Sequence, residues 1–326
     1  MKKITASVLI MFLLLFFAFE ILTESKSILE SVTYSFNIWK DNIFPSLFPF
    51  FVLSEILINY GFVEFIGELL KPFMQKVFKI DGNSAFIFVM SIISGFPSNS
   101  KYTKELYKNN IINLKTANKI LMFSHFSNPL FILGTVSVLF LNNKEAGLLI
   151  LICHYLGNFI IGLLFRNYNR FDSDNNSISL KKAIIKMHNK RINNNLRLGQ
   201  IITNSILNSI NTLLMILGVV TMFLVITTVI NNNVNLDEYY ISILNGSIEM
   251  TQGLKYVSIA NIPLKIKCII SVAILSFGGF SVHMQIINIL SDTDIKYLPF
   301  LTARLIHSLI SSLLTLFLFD FWISFF

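Results

Sequence analysis

The sequence predicts an all-α polytopic membrane protein, and three observations support this fold class. Of 326 residues, 54% are hydrophobic and only 13% are charged, and the mean hydropathy is +0.66. An ordinary soluble domain carries roughly 25% charged residues. The apolar residues are also gathered into long runs, and two shorter runs end at glycine-containing breaks. Together these observations predict both complete and interrupted membrane helices.

Six apolar segments are long enough to cross a bilayer, which takes about 20 helical residues. They are residues 4–22, 35–58, 119–141, 146–165, 201–230 and 297–323. No small-residue cleavage site follows the first segment, so we interpret it as a retained helix and not as a signal peptide. Two further runs, residues 85–94 and 266–277, are too short to span.

The positive charge helps to orient these segments. The net charge of +8 lies mostly in short stretches between apolar runs, which argues against nucleic acid as a partner and for basic loops on the cytoplasmic side. Residues 167–200 hold seven bases and two acids and are interpreted as a cytoplasmic linker. When the spans are assigned alternating directions from this linker, both termini are expected in the cytoplasm. The lipid bilayer is the expected partner of the apolar surface. Lys255, Lys265 and Lys267 fit this orientation less well, because it places them on the side of the membrane opposite the cytoplasm.

The chain is therefore expected to have four parts. They are an N-terminal helix and connector (1–33), a first repeat plus an extra helix (34–165), the linker (166–200) and a second repeat (201–326). The two repeats have opposite orientations, because an odd number of spans separates their starts. Inverted repeats with broken helices are typical of secondary transporters.

Each repeat is expected to contain one re-entrant helical hairpin. The run 85–94 enters from the cytoplasm and turns at SGFPSNSK, which begins at Ser94 and ends at Lys101. The run 266–277 enters from the opposite face and breaks at FGGFSVH, and residues 242–256 before it are interpreted as a surface segment.

The first break has the residue types that interrupt a helix. Gly95 permits unusual backbone angles, Pro97 removes a hydrogen-bond donor, and Ser98 or Asn99 can cap the helix that follows. The free N–H groups at such a helix start favour an anion. The alternative is an ordinary surface loop, which the nearby lysines would also suit.

A second break lies at SHFSNPLF, in the middle of a predicted span. Asn128 followed by Pro129 is the usual order at a helix start, so the span is expected to split with Ser127 and Asn128 at the junction. A kinked helix without a ligand is the alternative. His125 is either part of this site or a hydrogen-bonded core residue.

The third break, SFGGFSVHMQ, supplies Gly278 and Gly279 for a turn. Arg304 and His307 share one face of the last helix, where Arg304 either binds an anionic group or extends to the membrane interface. The candidate substrate-binding residues are Ser94, Gly95, Phe96, Pro97, Ser98, Asn99, Ser100, His125, Ser127, Asn128, Gly278, Gly279, Ser281, His283, Gln285, Arg304 and His307.

Two acidic residues fall in corresponding segments of the two halves. Glu55 and Glu249 are candidates for ion coupling, or alternatively for structural hydrogen bonds. The sequence has no Walker A, HExxH, GxSxG or dinucleotide-binding motif, so we expect no enzyme activity. Cys153 and Cys268 lie in apolar runs, and no metal or other cofactor is expected.

Several motifs resemble the YlbJ (SpoVV) family of sporulation integral membrane proteins, whose members carry the nucleoside-recognition Gate domain. They are FPSLFPFFVLSEIL, SGFPSNSK, FSNPLFILGTV, EMTQG, FGGFSVHMQ and ARLIH, in the family order. The resemblance implies a layout similar to concentrative nucleoside transporters. At Ser98, Asn99 and Ser100 the sequence departs from the small residues common in the family, which makes the first break more polar.

The resemblance also implies a function. This family branch is linked to export of dipicolinate from the mother cell across the outer forespore membrane. We therefore expect a transporter of secondary permease type for a small organic anion, with dipicolinate as the expected substrate. The alternatives are a nucleoside or other small-metabolite transporter, or a non-transporting membrane scaffold in envelope or spore cortex assembly. Gate-type relatives suggest a homo-oligomer.

Overall fold

A computed structural model describes residues 2–171, 179–194 and 196–325, and the regular structure of these residues is entirely helical. Three segments, Trp39–Ile43, Met74–Phe78 and Phe131–Phe140, are π-helical. The α-helices are α1 (Lys2–Thr23), α2 (Ser25–Ile38), α3 (Phe44–Asn59), α4 (Phe62–Phe73), α5 (Ser84–Ser94), α6 (Ser98–Lys108), α7 (Leu114–Phe123), α8 (Lys144–Leu164), α9 (Leu180–Asn193), α10 (Leu198–Asn233), α11 (Glu238–Ile248), α12 (Met250–Ile259), α13 (Leu264–Phe277), α14 (Gly279–Leu290) and α15 (Tyr297–Phe325).

Six helical stretches of the described chain are long and apolar enough to cross a membrane. They are Thr5–Thr23, Ser25–Asn59, Lys144–Leu164, Leu198–Asn233, Leu264–Leu290 and Tyr297–Ser324. The set differs from the predicted one in two places. Residues 119–141 are divided by irregular backbone at 124–128, whereas α13 and α14 are separated by Gly278 alone and together reach the length of a span.

Side-chain contacts define two opposite ends of the helical assembly. At the linker end, the Lys119 ammonium donates to the carbonyl oxygens of Lys79 at 3.0 Å and Arg166 at 2.6 Å. At the far end, Lys265 pairs with Asp320 at 2.5 Å. The long helix α15 runs between these ends, because Tyr297 follows the linker-end residues 292–296 and Asp320 lies at the far end.

Helix α5 packs on α6, and α11 packs on α12. In α5–α6 the connection is buried throughout, from Ser94 to Ser100. In α11–α12 the two backbones touch, since a Cβ added to Gly253 would collide with the Cα of Gly246. The prediction that residues 242–256 form a surface segment is therefore wrong, and Glu249 lies buried between the two helices.

The break at FGGFSVH does not form the predicted second hairpin. Helix α13 packs on α8 and α15, whereas α14 packs on α6, α10 and α11. Together, α13 and α14 run from Lys265 at the far end to Asp292 at the linker end, where Asp292 forms an ion pair with Lys104 of α6. A glycine marks where a helix is interrupted, but it does not specify the direction of the next helix. The chain therefore continues across the assembly instead of folding back.

The apolar interior is divided between a main core and a smaller scaffold cluster. The main core is built largely from α5 to α8 and α12 to α15. The scaffold cluster joins α3 to α10, with Trp39, Ile43 and Phe44 packed against it. Its buried members are Leu47, Phe51, Leu213, Ile216, Val220 and Leu224. The main core and the scaffold cluster are the two bodies of the molecule, and the candidate site lies along the boundary between them.

Candidate functional site

A cavity of about 50 Å³ lies at the boundary between the main core and the scaffold cluster. The scaffold contributes mostly apolar side chains, and the other helices contribute the polar ones. The lining residues are Ile43, Ser46, Leu47, Phe96, Pro97, Ser127, Asn128, Phe131, Ile216, Val220, Glu249, Met250, Thr251, Val282 and Gln285. Six predicted site residues are among them, namely Phe96, Pro97, Ser127, Asn128, Glu249 and Gln285.

Four helix N-termini meet at this cavity. Pro97 is the N-cap residue of α6, Asn128 precedes helical residues 129–140, Glu249 is the N-cap residue of α12, and Val282 lies in the first turn of α14. The first N–H groups of a helix have no partner within the helix, and this end carries a partial positive charge. The partial positive charges of four helix ends therefore lie beside the cavity, whose lining contains one carboxylate, Glu249, and no lysine or arginine.

The first break is held together by its own hydroxyl groups. The Ser94 hydroxyl lies 2.7 Å from both the Met90 carbonyl oxygen and the Ser98 hydroxyl, and the Tyr102 hydroxyl donates to it at 3.2 Å. Ser98 is already helical and bonds back to the Gly95 carbonyl, so neither Ser98 nor Asn99 is the helix cap that the sequence predicts. The N-cap position lies one residue earlier.

Gly95 is required because the first and second breaks touch. Its φ is +77°, and a Cβ at this position would lie 2.5 Å from the Asn128 nitrogen. Two hydrogen bonds join the breaks, one from the Phe96 N–H to the Phe126 carbonyl at 2.7 Å and one from the Asn128 amide to the Ser94 carbonyl at 3.1 Å. The two interrupted helices therefore form one polar unit.

The second break begins a new helix as the sequence predicts. The Asn128 Oδ1 accepts from the Leu130 N–H at 2.7 Å, which is the N-cap interaction. The preceding Ser127 N–H donates to Nε2 of His154 at 2.8 Å, and Nδ1 of His154 lies 3.0 Å from the Ser276 hydroxyl. His154 was not predicted, although a histidine within the apolar run of α8 is a signal for a functional or structural polar contact.

Glu249 is the acidic residue of the cavity lining. Its side chain is 1% exposed, and it accepts from the Gln252 N–H at 2.9 Å and from the Thr251 hydroxyl, while the Ser281 hydroxyl lies 3.5 Å away. None of the described basic side chains forms an ion pair with it. The carboxylate is therefore held by helix N-terminal groups and hydroxyls, which leaves it as a fixed charge or a proton acceptor at the site.

The third break fits closely against the other two. Gly278 and Gly279 have φ values of +94° and +69°, and a Cβ on Gly279 would lie 3.1 Å from the Met250 nitrogen. A Cβ on Gly278 would lie 3.2 Å from Nε2 of His125, whose ring stacks on Phe96 at 4.5 Å between centroids. His283, in contrast, bonds to the Tyr297 hydroxyl and the Phe277 carbonyl and does not line the cavity.

Arg304 and His307 also lie outside the cavity lining. The Arg304 guanidinium is fully buried, and it donates to the Met122 carbonyl, to the Asn158 Oδ1 at 3.1 Å and to the His307 Nδ1 at 2.8 Å. This geometry excludes extension to the membrane interface. It places a positive charge beside the carbonyl groups at the C-terminal end of α7, where such a charge is favourable.

Nine other predicted residues lie in the three breaks and do not line the cavity. They are Ser94, Gly95, Ser98, Asn99, Ser100, His125, Gly278, Gly279 and Ser281. Among the described residues, both ring nitrogens of His125, the Asn99 amide and the Ser127 hydroxyl are buried and have no hydrogen-bond partner. Buried polar groups are normally paired, so these are the groups from which a ligand could gain hydrogen bonds if the site opened.

Glu55, the other candidate for ion coupling, does not line the cavity. Its carboxylate pairs with the Lys101 ammonium at 2.7 Å and accepts from the Asn208 amide at 3.3 Å. The described residues contain no group of three His, Cys, Asp or Glu side chains placed to hold a metal ion. Cys153 and Cys268 are buried free thiols.

Comparisons with known proteins support the family resemblance that the sequence motifs indicate. Residues 42–144 match the family model described as Gate, nucleoside recognition. The sporulation integral membrane protein YlbJ of Bacillus subtilis (strain 168) is 34% identical over 328 residues, which cover 93% of this chain and 80% of YlbJ. No solved structure matches the chain. The chain therefore belongs to the YlbJ family of sporulation integral membrane proteins and contains a Gate domain.

Proposed function

We propose that this protein is a secondary transporter that moves a small organic anion through the cavity. The observation that carries the proposal is the convergence of four helix N-termini on one buried space. Half-helix N-termini directed at an anionic substrate group are a recurring device of secondary transporters. A non-transporting scaffold would have no use for such a costly interruption of helices in a membrane.

In this proposal the chain contains two inverted repeats, 34–165 and 201–326, joined by the basic linker. The hairpins α5–α6 and α11–α12 are re-entrant from opposite ends, and each is followed by a broken span. The pairing of parts differs from the one that the sequence motifs predict: Pro97 corresponds to Glu249, and Asn128 corresponds to Gly278. The packing of α11 on α12 supports this revision. With the basic linker end in the cytoplasm, α15 runs from the cytoplasmic side at Tyr297 to the opposite side at Asp320. The C-terminal end of α15 therefore lies on the side opposite the linker, and the expectation that both termini are cytoplasmic is wrong for this end.

The cavity is too small for a substrate in this structure. Its volume of about 50 Å³ has room for a few water molecules, since each needs about 10–15 Å³. Pockets for drug-sized ligands are roughly 300–1,000 Å³. Substrate binding therefore requires a movement that separates the scaffold cluster from the polar breaks, as alternating access would provide.

Dipicolinate is the anion that we propose. The family relationship connects the chain to sporulation, and the two carboxylates of dipicolinate suit a site surrounded by helix N-termini. The proposed role is export of dipicolinate from the mother cell across the outer forespore membrane.

A nucleoside is the second candidate, and one observation favours it. Glu249 lies in the cavity lining, where an ionised carboxylate would repel a dianion and would accept hydrogen bonds from a neutral polar ligand. The family model that matches residues 42–144 is also described by nucleoside recognition. A dianionic substrate would require Glu249 to be protonated when it binds.

Uptake into proteoliposomes tests the proposal. Gln285→Glu keeps the shape of the side chain and adds a negative charge to the cavity, so dipicolinate uptake is expected to fall by about tenfold or more, which corresponds to about 1.4 kcal/mol. Asn189→Asp adds the same charge on exposed α9 and serves as the control. Nucleoside uptake without dipicolinate uptake by the unmodified protein would instead support the second candidate, and uptake of neither would contradict the proposal.

A further inference from the structure

A cleft of about 610 Å³ opens between α3, α6, α10 and α14. Unlike the cavity, it is lined mainly by polar and charged side chains. The lining residues are Glu55, Lys101, Lys104, Glu105, Lys108, Asn109, Asn208, Asn211, Thr212, Met215, Asn288 and Ile289. Because Lys104 and Lys108 meet Asp292 at the linker end, the cleft lies between that end and the interior.

The cleft and the cavity lie on the same faces of the same helices. On α6 the cavity touches Pro97 and the cleft touches Lys101, which are four residues apart. The same spacing of four residues separates Gln285 from Ile289 on α14 and Ile216 from Thr212 on α10. Residues four apart on a helix share a face and are about one turn distant from each other. The cleft therefore continues the cavity toward the linker end.

The Lys101 side chain lies in the part of the cleft nearest the cavity. The Lys101 ammonium lies 4.8 Å from the centre of the Phe51 ring and 2.7 Å from the Glu55 carboxylate. The Lys101 and Glu55 side chains are 12% and 7% exposed, whereas Lys104 and Asp292 are 29% and 51% exposed. The Lys101–Glu55 pair thus forms the floor of the cleft, and the Asp292 pairs lie near its mouth.

The Lys101–Glu55 pair at this floor also connects the scaffold cluster to the main core. Glu55 lies on α3 and is held by Asn208 of α10, the two helices that form the scaffold cluster. Lys101 lies on α6, next to the first break. Separating the scaffold from this hairpin therefore requires the ion pair to part. A pair so little exposed is costly to disrupt when one charge is left without a partner.

We propose that the cleft is the route between the cavity and the linker end, and that Lys101 is the residue that closes it. While Lys101 is paired with Glu55, the floor is shut. When the pair parts, the ammonium becomes available to a carboxylate of the entering anion, so Lys101 also selects for negative charge. This selectivity rests on the proposed function, whereas the position of the route does not.

Thiol labelling of a cavity residue tests the route without any substrate. Ser127→Cys places a thiol in the cavity lining, and the native Cys153 and Cys268 are buried and set the background in the parent protein. The probe is a membrane-impermeant methanethiosulfonate reagent, used in an anionic and a cationic form. It is added separately to each side of proteoliposomes that contain the full chain.

Glu55→Gln is expected to increase labelling of the introduced thiol from the linker side by about tenfold or more, because it removes the partner that holds Lys101 in place. Glu68→Gln is the matched control, since Glu68 also pairs with a lysine at 2.7 Å but lies outside both spaces. In the opened protein the anionic reagent should react faster than the cationic one. Lys101→Met combined with Glu55→Gln should abolish that preference and also avoids an unpaired buried charge.

The outcomes separate this inference from the proposed function. Unchanged labelling in both Glu55→Gln and the double variant would overturn the route, even if anion uptake persisted. Increased labelling from the far side would also overturn it. Increased labelling from the linker side, with no uptake of any anion, would support the route and contradict the proposed function.

Discussion

Arg304 stabilises a broken helix from inside the protein. Its guanidinium donates to the Met122 carbonyl near the end of α7 and to Asn158 of α8, and its charge lies at the negative end of the α7 dipole. The sequence alone could show that Arg304 and His307 share a helix face. It could not show these partners, because they lie more than 140 residues away along the chain.

Arg304→Ala is therefore expected to act on stability before it acts on substrate binding. It leaves buried carbonyl groups without donors, at a cost of about 1–3 kcal/mol for each such group. Thermal unfolding of the purified protein should show a clearly lowered midpoint, and Arg304→Lys should restore part of the loss. Loss of dipicolinate binding by Arg304→Lys, with normal thermal stability, would instead show a direct role in the site. His188→Ala, on the exposed side of α9, is the control.

At the scale of helices, the sequence predicts where the chain is interrupted better than it predicts where the chain turns back. Asn128 and Pro129 carry a local signal for a helix start, and the structure confirms it. The connection between α11 and α12 is the single residue Glu249 and contains neither glycine nor proline. What brings these helices together is the close approach of Gly246 and Gly253, which is a tertiary contact. No local pattern could distinguish that hairpin from a surface segment.

Helix α9, in the basic linker, is attached to α4 by an ion pair with a predictable pH dependence. The Lys186 ammonium donates to Glu68 at 2.7 Å and holds the pKa of that carboxyl below its usual value. Because the pKa is lowered in the folded protein, the stabilisation is complete above the unfolded pKa and is lost as the pH falls through the folded one. Lys186 is 52% exposed, so the pair contributes about 1 kcal/mol or less.

We therefore expect the attachment of α9 to weaken below about pH 4, the usual range of a glutamate carboxyl. Hydrogen exchange of α9 amides, measured across this range in the full chain, should accelerate on acidification. In Glu68→Gln the exchange should already be faster at neutral pH and should lose most of this pH dependence. An identical pH profile in both proteins would show that another group controls the attachment.

On the scale of the whole molecule, the proposed transport depends on the division into a main core and a scaffold cluster. The cavity lies between the two bodies and is too small for a substrate in this conformation. Several polar contacts cross the boundary, including the Lys101–Glu55 pair, and one of them joins the Thr135 hydroxyl to Asn42 at 2.9 Å. Asn42 belongs to the segment that packs on the scaffold, and Thr135 lies among main-core residues. The sequence could not predict this boundary, because apolar residues build both the main core and the scaffold cluster.

A reversible cross-link tests whether the two bodies must separate. Asn42→Cys combined with Thr135→Cys places two thiols where side chains already touch, so oxidation is expected to lock the bodies together and stop uptake, and reduction should restore it. The control pair is Ser35→Cys with Thr221→Cys, whose hydroxyls lie 2.7 Å apart on α2 and α10. Because that cross-link stays within the scaffold side, uptake should continue. Full uptake after complete oxidation of the Asn42–Thr135 pair would mean that transport proceeds without separation at this boundary, and movement of the hairpins alone would have to open the cavity.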